Sequence, residues 1–295
     1  ITLPSLTGNI NERTWNTQRK ALYARFSQAI DLMPALNGYG TLTEGDSSTS
    51  AVDTAAETFV TSGLAKVLKI NNICDSEHLE DCGIPSKIIA MSGSIAFSET
   101  PKTLVAFNNM FNGSYIDSAN NWSYEYSQID TKAAAFETAN GESILTYYNP
   151  QCKANMNEMT SYYAQSKICA NFVYDLNGTK GPNTVGKDIG FITAIYPTDS
   201  IVVAPLPLIH NVLGNNQLLA SKECKKLDDD SRLPNLEEGM ALFTNVKLTG
   251  MKTDAFWTST RLASDISKGW VFSTTTGMIY LYPLTTGFNV WCVRR

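Results

Sequence analysis

Phe256 to Arg295 reads FWTSTRLASDISKGWVFSTTTGMIYLYPLTTGFNVWCVRR. The stretch predicts short strands that carry large apolar side chains where a free-standing domain wants polar ones. Leu262, Ile266, Val271, Met278, Tyr280, Tyr282, Leu284 and Trp291 sit among Ser, Thr and Gly, with turn signals at Thr276-Gly277 and Thr286-Gly287. Alternation buries only part of such a set. The remainder is expected to form an exposed apolar and aromatic patch, the usual mark of a binding surface. The same pattern also suits core strands of a small β-rich domain, and periodicity does not choose between the two.

Phe256-Trp257-Thr258-Ser259-Thr260, then Gly269-Trp270-Val271-Phe272, then Cys292-Val293-Arg294-Arg295 resemble the tail of bacterial C-type-lectin-fold domains. Those domains read W-S-S-T, an aromatic strand and a terminal V-R-C-V-R. Upstream, Ala220-Ser221-Lys222-Glu223-Cys224 and Ser231-Arg232-Leu233-Pro234-Asn235-Leu236-Glu237-Glu238 are similar to their Cys-bearing helix and R-L-P-x-x-E segment. The resemblance extends to variable proteins of diversity-generating retroelements, in which mutated adenine-rich codons randomise a patch of surface side chains. It implies a ligand-binding face made of the apolar positions above together with Lys268 and Gly269. Such a scaffold suits display, because backbone hydrogen bonds and a buried core hold the strands while side chains on one face change. The Glu-Pro-Asn and Trp-Asn-Asp motifs of calcium-dependent animal lectins are absent, so the fold does not imply a lectin. A calcium-free face directed at a protein or glycan receptor is expected.

At the other end, Ile1-Thr2-Leu3-Pro4-Ser5-Leu6 has no Met, basic region or cleavage site before it, so the chain is expected to be processed or trimmed. A helical pattern follows. Trp15, Leu22, Phe26, Ala29, Ile30 and Met33 recur at three- and four-residue steps, and Pro34 and Gly38 end it. This segment resembles type IV pilins and pseudopilins just after their hydrophobic N-terminal half-helix. The resemblance implies pilin subunits as partners of the helix, and membrane contact only through the missing half. It also implies an inner-membrane anchor before assembly and a place on the cell surface afterwards. No stretch here reaches the ~18–20 apolar residues of a spanning helix.

A second pilin-like segment runs from Cys169 to Asp188, CANFVYDLNGTKGPNTVGKD. It resembles the V-D-x-N-G-x-x-G-P-N-x-x-G-x-D segment of many bacterial pilin-like domains. Asp175, Asn177 and Asp188 carry oxygens of the kind calcium takes. However, Asn-Gly and Gly-Pro-Asn are turn chemistry, and the spacing lacks the full ligand set of a calcium loop. No metal ligand and no cofactor is assigned.

The 295 residues suffice for two domains. The expected organisation is α+β. A pilin-like domain takes residues 1–205, with its helix at 1–37 and a globular part at 38–205 on an antiparallel sheet. A C-type-lectin-fold domain takes 206–295. A helix is expected from Thr54 to about Ile70, capped by Asp53 or Thr54. Strands are expected at Ser86–Met91, Thr103–Phe107, Ser143–Tyr148, Phe172–Leu176, Gly190–Ile195 and Ile201–Pro205, with a long polar loop over 108–130. The formal charge of −5 and the lack of a basic stripe argue against nucleic acid.

The six cysteines allow fifteen pairings. The expected set is Cys74–Cys82, Cys152–Cys169 and Cys224–Cys292, the last resembling the pair that closes the lectin-type fold. Reduced thiols of a cytosolic protein are the alternative, and the secretion-type N-terminus argues against it. With no C-x-x-C and only His78 and His210 available, no zinc site is expected.

No nucleophile elbow, His-Glu-x-x-His or phosphate loop occurs, so an enzyme is not expected. Adjacent Glu237 and Glu238 do not face each other on a helix and read as a solvated first turn capped by Asn235. The expected function is a pilus-associated adhesin with a displayed binding face. The alternative is a fixed-sequence minor pilin or pseudopilin of a type IV pilus or type II secretion apparatus.

Overall fold

Every residue of Ser143–Tyr148 is buried, because both faces of its sheet are covered. The structure, a computed structural model, describes residues 3–32, 53–91, 93–109, 131–148, 167–196, 200–203, 206–208, 217–227, 231–236, 238, 239, 242, 255–273 and 279–294. It is α+β, with an N-terminal helix followed by mostly antiparallel sheets and a few short helices.

Helix α1 (Leu3–Leu32) comes first. A helical segment over residues 55–67 follows, α-helical at its ends and π-helical over Phe59–Leu64. The strands are β1 (Ile70–Cys74), β2 (Ile88–Ile89), β3 (Ile95–Phe97), β4 (Ala134–Thr138), β5 (Ser143–Tyr148), β6 (Lys167–Asp175), β7 (Ile189–Tyr196) and β8 (Ser200–Val203). Then come β9 (Leu206–Leu208), helix Gln217–Leu227, β10 (Ser231–Arg232), β11 (Ala255–Leu262), β12 (Asp265–Ser273), β13 (Ile279–Pro283) and β14 (Cys292–Arg294).

The large sheet runs β1-β4-β5-β6-β7-β8, and each neighbouring pair is antiparallel. Period-two alternation sends Phe136, Ile144, Phe172 and Ile192 to one face, where Leu22, Phe26 and Ile30 of α1 cover them. The Phe26 ring lies 5.3 Å from Phe172, edge to face, and Phe59 stacks on Tyr148 at 4.4 Å. The opposite face carries Leu145, Tyr147, Val173 and Phe191. Phe107 stacks on Tyr147 there at 4.1 Å. Phe256, Phe272 and Trp291 from the C-terminal region join this same core.

The chain changes sheets between β8 and β9. β9 leaves the large sheet and pairs with β14, which also pairs with β10. A third sheet is the meander β11-β12-β13.

Several expectations need correction. Thr103–Phe107 is not a strand. Thr103 Oγ1 accepts the Ala106 N–H at 3.1 Å, and helix Leu104–Asn109 follows. That is N-cap chemistry overriding a β-branched run. The helix expected to reach Ile70 stops at Val67, and Ile70 opens β1. Thr54 takes the cap position without a side-chain cap bond. Only Ile88–Ile89 of Ser86–Met91 is extended in a strand. Glu238 is not solvated. It exchanges hydrogen bonds with Asn235 as a capping box, at 2.7 and 2.8 Å, and pairs with Arg232 at 2.5 Å. The loop expected over 108–130 does not begin at 108, because Asn108 and Asn109 belong to helix Leu104–Asn109; its remainder, Met33 and the turn at 197–199 lie outside the described residues.

Candidate functional sites

The C-terminal meander has two differently covered faces. The pairing of Trp257 with Val271, Val271 with Tyr280 and Gly269 with Tyr282 puts these residues on one face. Ala220 and Cys224 of helix Gln217–Leu227 pack against its centre. The other face sends Phe256 and Phe272 into the core under the large sheet. Solvent reaches the meander at the hairpin around 262–268, along β13 and at Ser259 and Arg261 of β11.

Three nominated positions are buried, which removes them from any displayed face. Val271 is in the core under the helix, and Trp291 stacks on Phe256 at 5.2 Å. Gly269 is buried for a steric reason. A Cβ there would lie 2.8 Å from Gln217 Nε2, 2.8 Å from Leu284 Cδ2 and 3.2 Å from Trp257 Cζ3. Ile266, by contrast, is 75% exposed and Tyr282 37%. Tyr282 leans on Phe288 at 4.8 Å and on Tyr280 at 6.3 Å between ring centroids. Leu262, Tyr280 and Leu284 are half-buried. Lys268 pairs with Asp265 at 3.2 Å. Met278 lies outside the described residues.

Leu218 and Leu219, 58% and 44% exposed, are two further exposed apolar side chains of the C-terminal region, outside the set read from the sequence. They follow Gln217, whose N–H donates to the Leu284 carbonyl at 3.2 Å, and Leu284 N–H donates to Ser267 O at 2.9 Å. The signal was present. Ala220 and Cys224 at a four-residue step define the buried stripe, which turns two preceding leucines outward.

Cys224–Cys292 bridges the helix to β14 with Cα atoms 5.3 Å apart, and Cys74–Cys82 closes the short acidic loop at 6.0 Å. Cys152 and the Cys169 side chain lie outside the described residues.

A second cluster forms at the loop between β6 and β7. Asp175 is 2% exposed. Its Oδ1 accepts the Asn177 N–H at 3.0 Å, whereas Oδ2 is buried without a partner. Burial pushes this carboxyl up to about 7; the backbone N–H groups of Asn177 and Gly178 oppose the rise and the negative charge of Asp188 adds to it. Asn177 Nδ2 donates to Gly181 O at 3.0 Å, which leaves its Oδ1 buried and unpartnered, as is Asn183 Oδ1. Asp188 is fully buried and accepts N–H bonds from Asn183 and Thr184, each at 2.9 Å. Asn183 sits at φ 51°, a left-handed conformation that Asn tolerates better than most residues.

No protein-family model matches the chain, and no curated protein matches it either.

Proposed function

We propose that the protein is a pilus- or pseudopilus-associated surface adhesin whose C-terminal region, of C-type-lectin type, presents a ligand-binding face diversified by a retroelement. The observation that carries the reading is the exposure of the large apolar side chains Ile266, Tyr282, Leu218 and Leu219 on a backbone pinned by a buried core and by Cys224–Cys292. Apolar and aromatic side chains on a rigid support lose little entropy on binding and bury large area, worth about 25 cal/mol per Å². The face suits a protein or glycan receptor on another cell, and the reading is binding rather than catalysis. α1 laid on an antiparallel sheet supports the pilin-like half, with pilin subunits as its partners. The disulfides fit an oxidising, extracytoplasmic setting. No helix among the described residues is long and apolar enough to cross a membrane.

A second reading is a fixed-sequence minor pilin or pseudopilin. The exposed Tyr23 and Leu32 of α1, at 41% and 55%, favour it by offering apolar surface to neighbouring subunits. Binding of purified protein to bacterial and host cells separates the two. Wild type is compared with a folded variant carrying Ile266→Ser, Tyr282→Ser and Leu218→Ser. Loss of binding in the variant supports the adhesin, whereas equal binding favours the structural subunit. An adenine-rich near-copy of the last codons beside a reverse-transcriptase gene supports diversification, and its absence removes that element.

A further inference from the structure

β13 is an edge strand. It pairs with β12 on one side, and among the described residues no strand lies on the other. The ladder fixes which backbone groups face outward. Leu284 lies opposite Ser267 in the register that pairs Pro283 with Lys268, and its N–H donates to the Ser267 carbonyl at 2.9 Å. Hydrogen-bonded and non-hydrogen-bonded pairs alternate along an antiparallel ladder. Tyr282 and Tyr280 therefore exchange bonds with Gly269 and Val271, whereas Ile279, Leu281 and Pro283 direct their backbone groups away from β12. Pro283 has no N–H, and its carbonyl accepts the Thr286 N–H at 3.0 Å. The open edge comes down to the N–H and C=O groups of Ile279 and Leu281.

Proteins ordinarily blunt such an edge with charge, a bulge or a proline inside the strand. Here no charge falls between Ile279 and Pro283, the β12–β13 register runs without a shift, and the proline stands at the strand's end. The complement of this edge is another extended backbone, and its spacing suits a copy of itself. We propose that two molecules pair antiparallel through β13 about a two-fold axis between their Tyr280 residues. In that register Ile279 of each copy lies opposite Leu281 of the other, and every outward N–H meets an outward C=O. An axis at Leu281 would instead set Ile279 against Pro283, which has no N–H to give and a carbonyl already engaged by Thr286. The register about Tyr280 also matches side chains face by face. Tyr280 meets Tyr280 in a non-hydrogen-bonded pair, where side chains come closest, and Ile279 meets Leu281 on the opposite face. An isologous contact of this kind closes as a dimer, and it does not depend on the adhesin reading.

Sedimentation equilibrium of the full chain over a range of about 1 to 500 µM is expected to show the mass rise from 32.4 kDa toward twice that value. Residue-resolved hydrogen exchange reads the register. The Tyr280 and Tyr282 amides should be protected at every concentration, whereas those of Ile279 and Leu281 should slow at least about tenfold only where the dimer forms. Leu281→Pro deletes an outward N–H that β12 does not use, so it should keep the wild-type circular dichroism spectrum and stay monomeric. Should it unfold, Tyr280→Lys, which sets like charges across the axis, is expected to weaken association at least about tenfold. A wild type that stays monomeric to the top of the range overturns the proposal, and so does protection of Ile279 and Leu281 that appears only with an added extended peptide. A dimer that leaves these two amides exchanging freely, or that persists undiminished in a folded variant, lies on another surface and overturns it equally.

Discussion

Gln217 Nε2 donates to the Thr258 carbonyl at 2.7 Å through space left open by Gly269. The other end of the same amide accepts from Arg261 Nε at 3.1 Å, so one buried side chain ties the start of its helix to β11. Gly269→Ala is expected to cost about 1–3 kcal/mol by forcing Gln217 and Leu284 aside. Gln217→Ala should cost about as much by stranding Thr258 O. The double variant should lose less than the sum, because both changes break one arrangement. Urea denaturation of the four proteins measures this, and a Gly269→Ala variant as stable as wild type refutes the packing account.

Trp291 and Ile266 come from the same apolar-rich tail and should respond in opposite ways. Trp291 stacks on Phe256 inside the core, so Trp291→Ala is expected to lose about 3–5 kcal/mol. Ile266 is 75% exposed, and Ile266→Ser should shift stability by less than about 0.5 kcal/mol. Comparable losses in chemical denaturation would place Ile266 in a core.

The two disulfides enclose loops of very different length. Cys224 and Cys292 are 68 residues apart and Cys74 and Cys82 are 8 apart. On chain entropy alone, replacing the first pair by alanine should cost about 4 kcal/mol and the second about 2.5 kcal/mol. Denaturation of each double-alanine variant gives the order, and a larger loss at Cys74–Cys82 contradicts it.

Buried phenols give the fold an alkaline limit. Burial pushes Tyr148 up to about 12, raises Tyr147, and raises Tyr174 against the opposing effect of Arg19. An unfolded tyrosine ionises near pH 10, so the folded state favours the protonated phenol. Stability present below that pH is therefore lost as pH climbs through about 12, by roughly 3 kcal/mol for Tyr148 alone. Phenolate absorbance is expected to show these three titrating only with unfolding. Full ionisation of all 13 tyrosines with circular dichroism unchanged would refute this.

Arg25 and Glu142 join α1 to the turn between β4 and β5 at 2.5 Å, and the Thr138 hydroxyl also donates to Glu142. Glu142 is 4% exposed, so Glu142→Ala leaves a partly buried guanidinium without its partner and is expected to cost about 3 kcal/mol. A melt within a degree of wild type would show that the pair contributes little.

Local pattern was enough to locate much of the framework. Alternation in Ser143–Tyr148 and Phe172–Leu176 marked two strands of the large sheet, and Leu22, Phe26, Ala29 and Ile30 marked the buried stripe of α1. Those signals survive because side-chain period depends only on backbone geometry. Thr103 was misread because a β-branched residue that caps a helix looks, in sequence, like one that opens a strand. Ala134–Thr138 offered too few large residues to announce a strand, yet it pairs with both β1 and β5.

The binding face and the loop oxygens depend on neighbours far away in the chain. Gly269, Val271 and Trp291 share the composition of Ile266 and Tyr282, but a helix about fifty residues earlier (Gln217–Leu227) covers one face of the meander and the large sheet covers the other. In the same way, Asp175, Asn177 and Asn183 sit among turn residues in the sequence, which does not show that one oxygen of each is buried without a partner. Amphipathic period is local and therefore readable, whereas burial is a property of whatever else packs there.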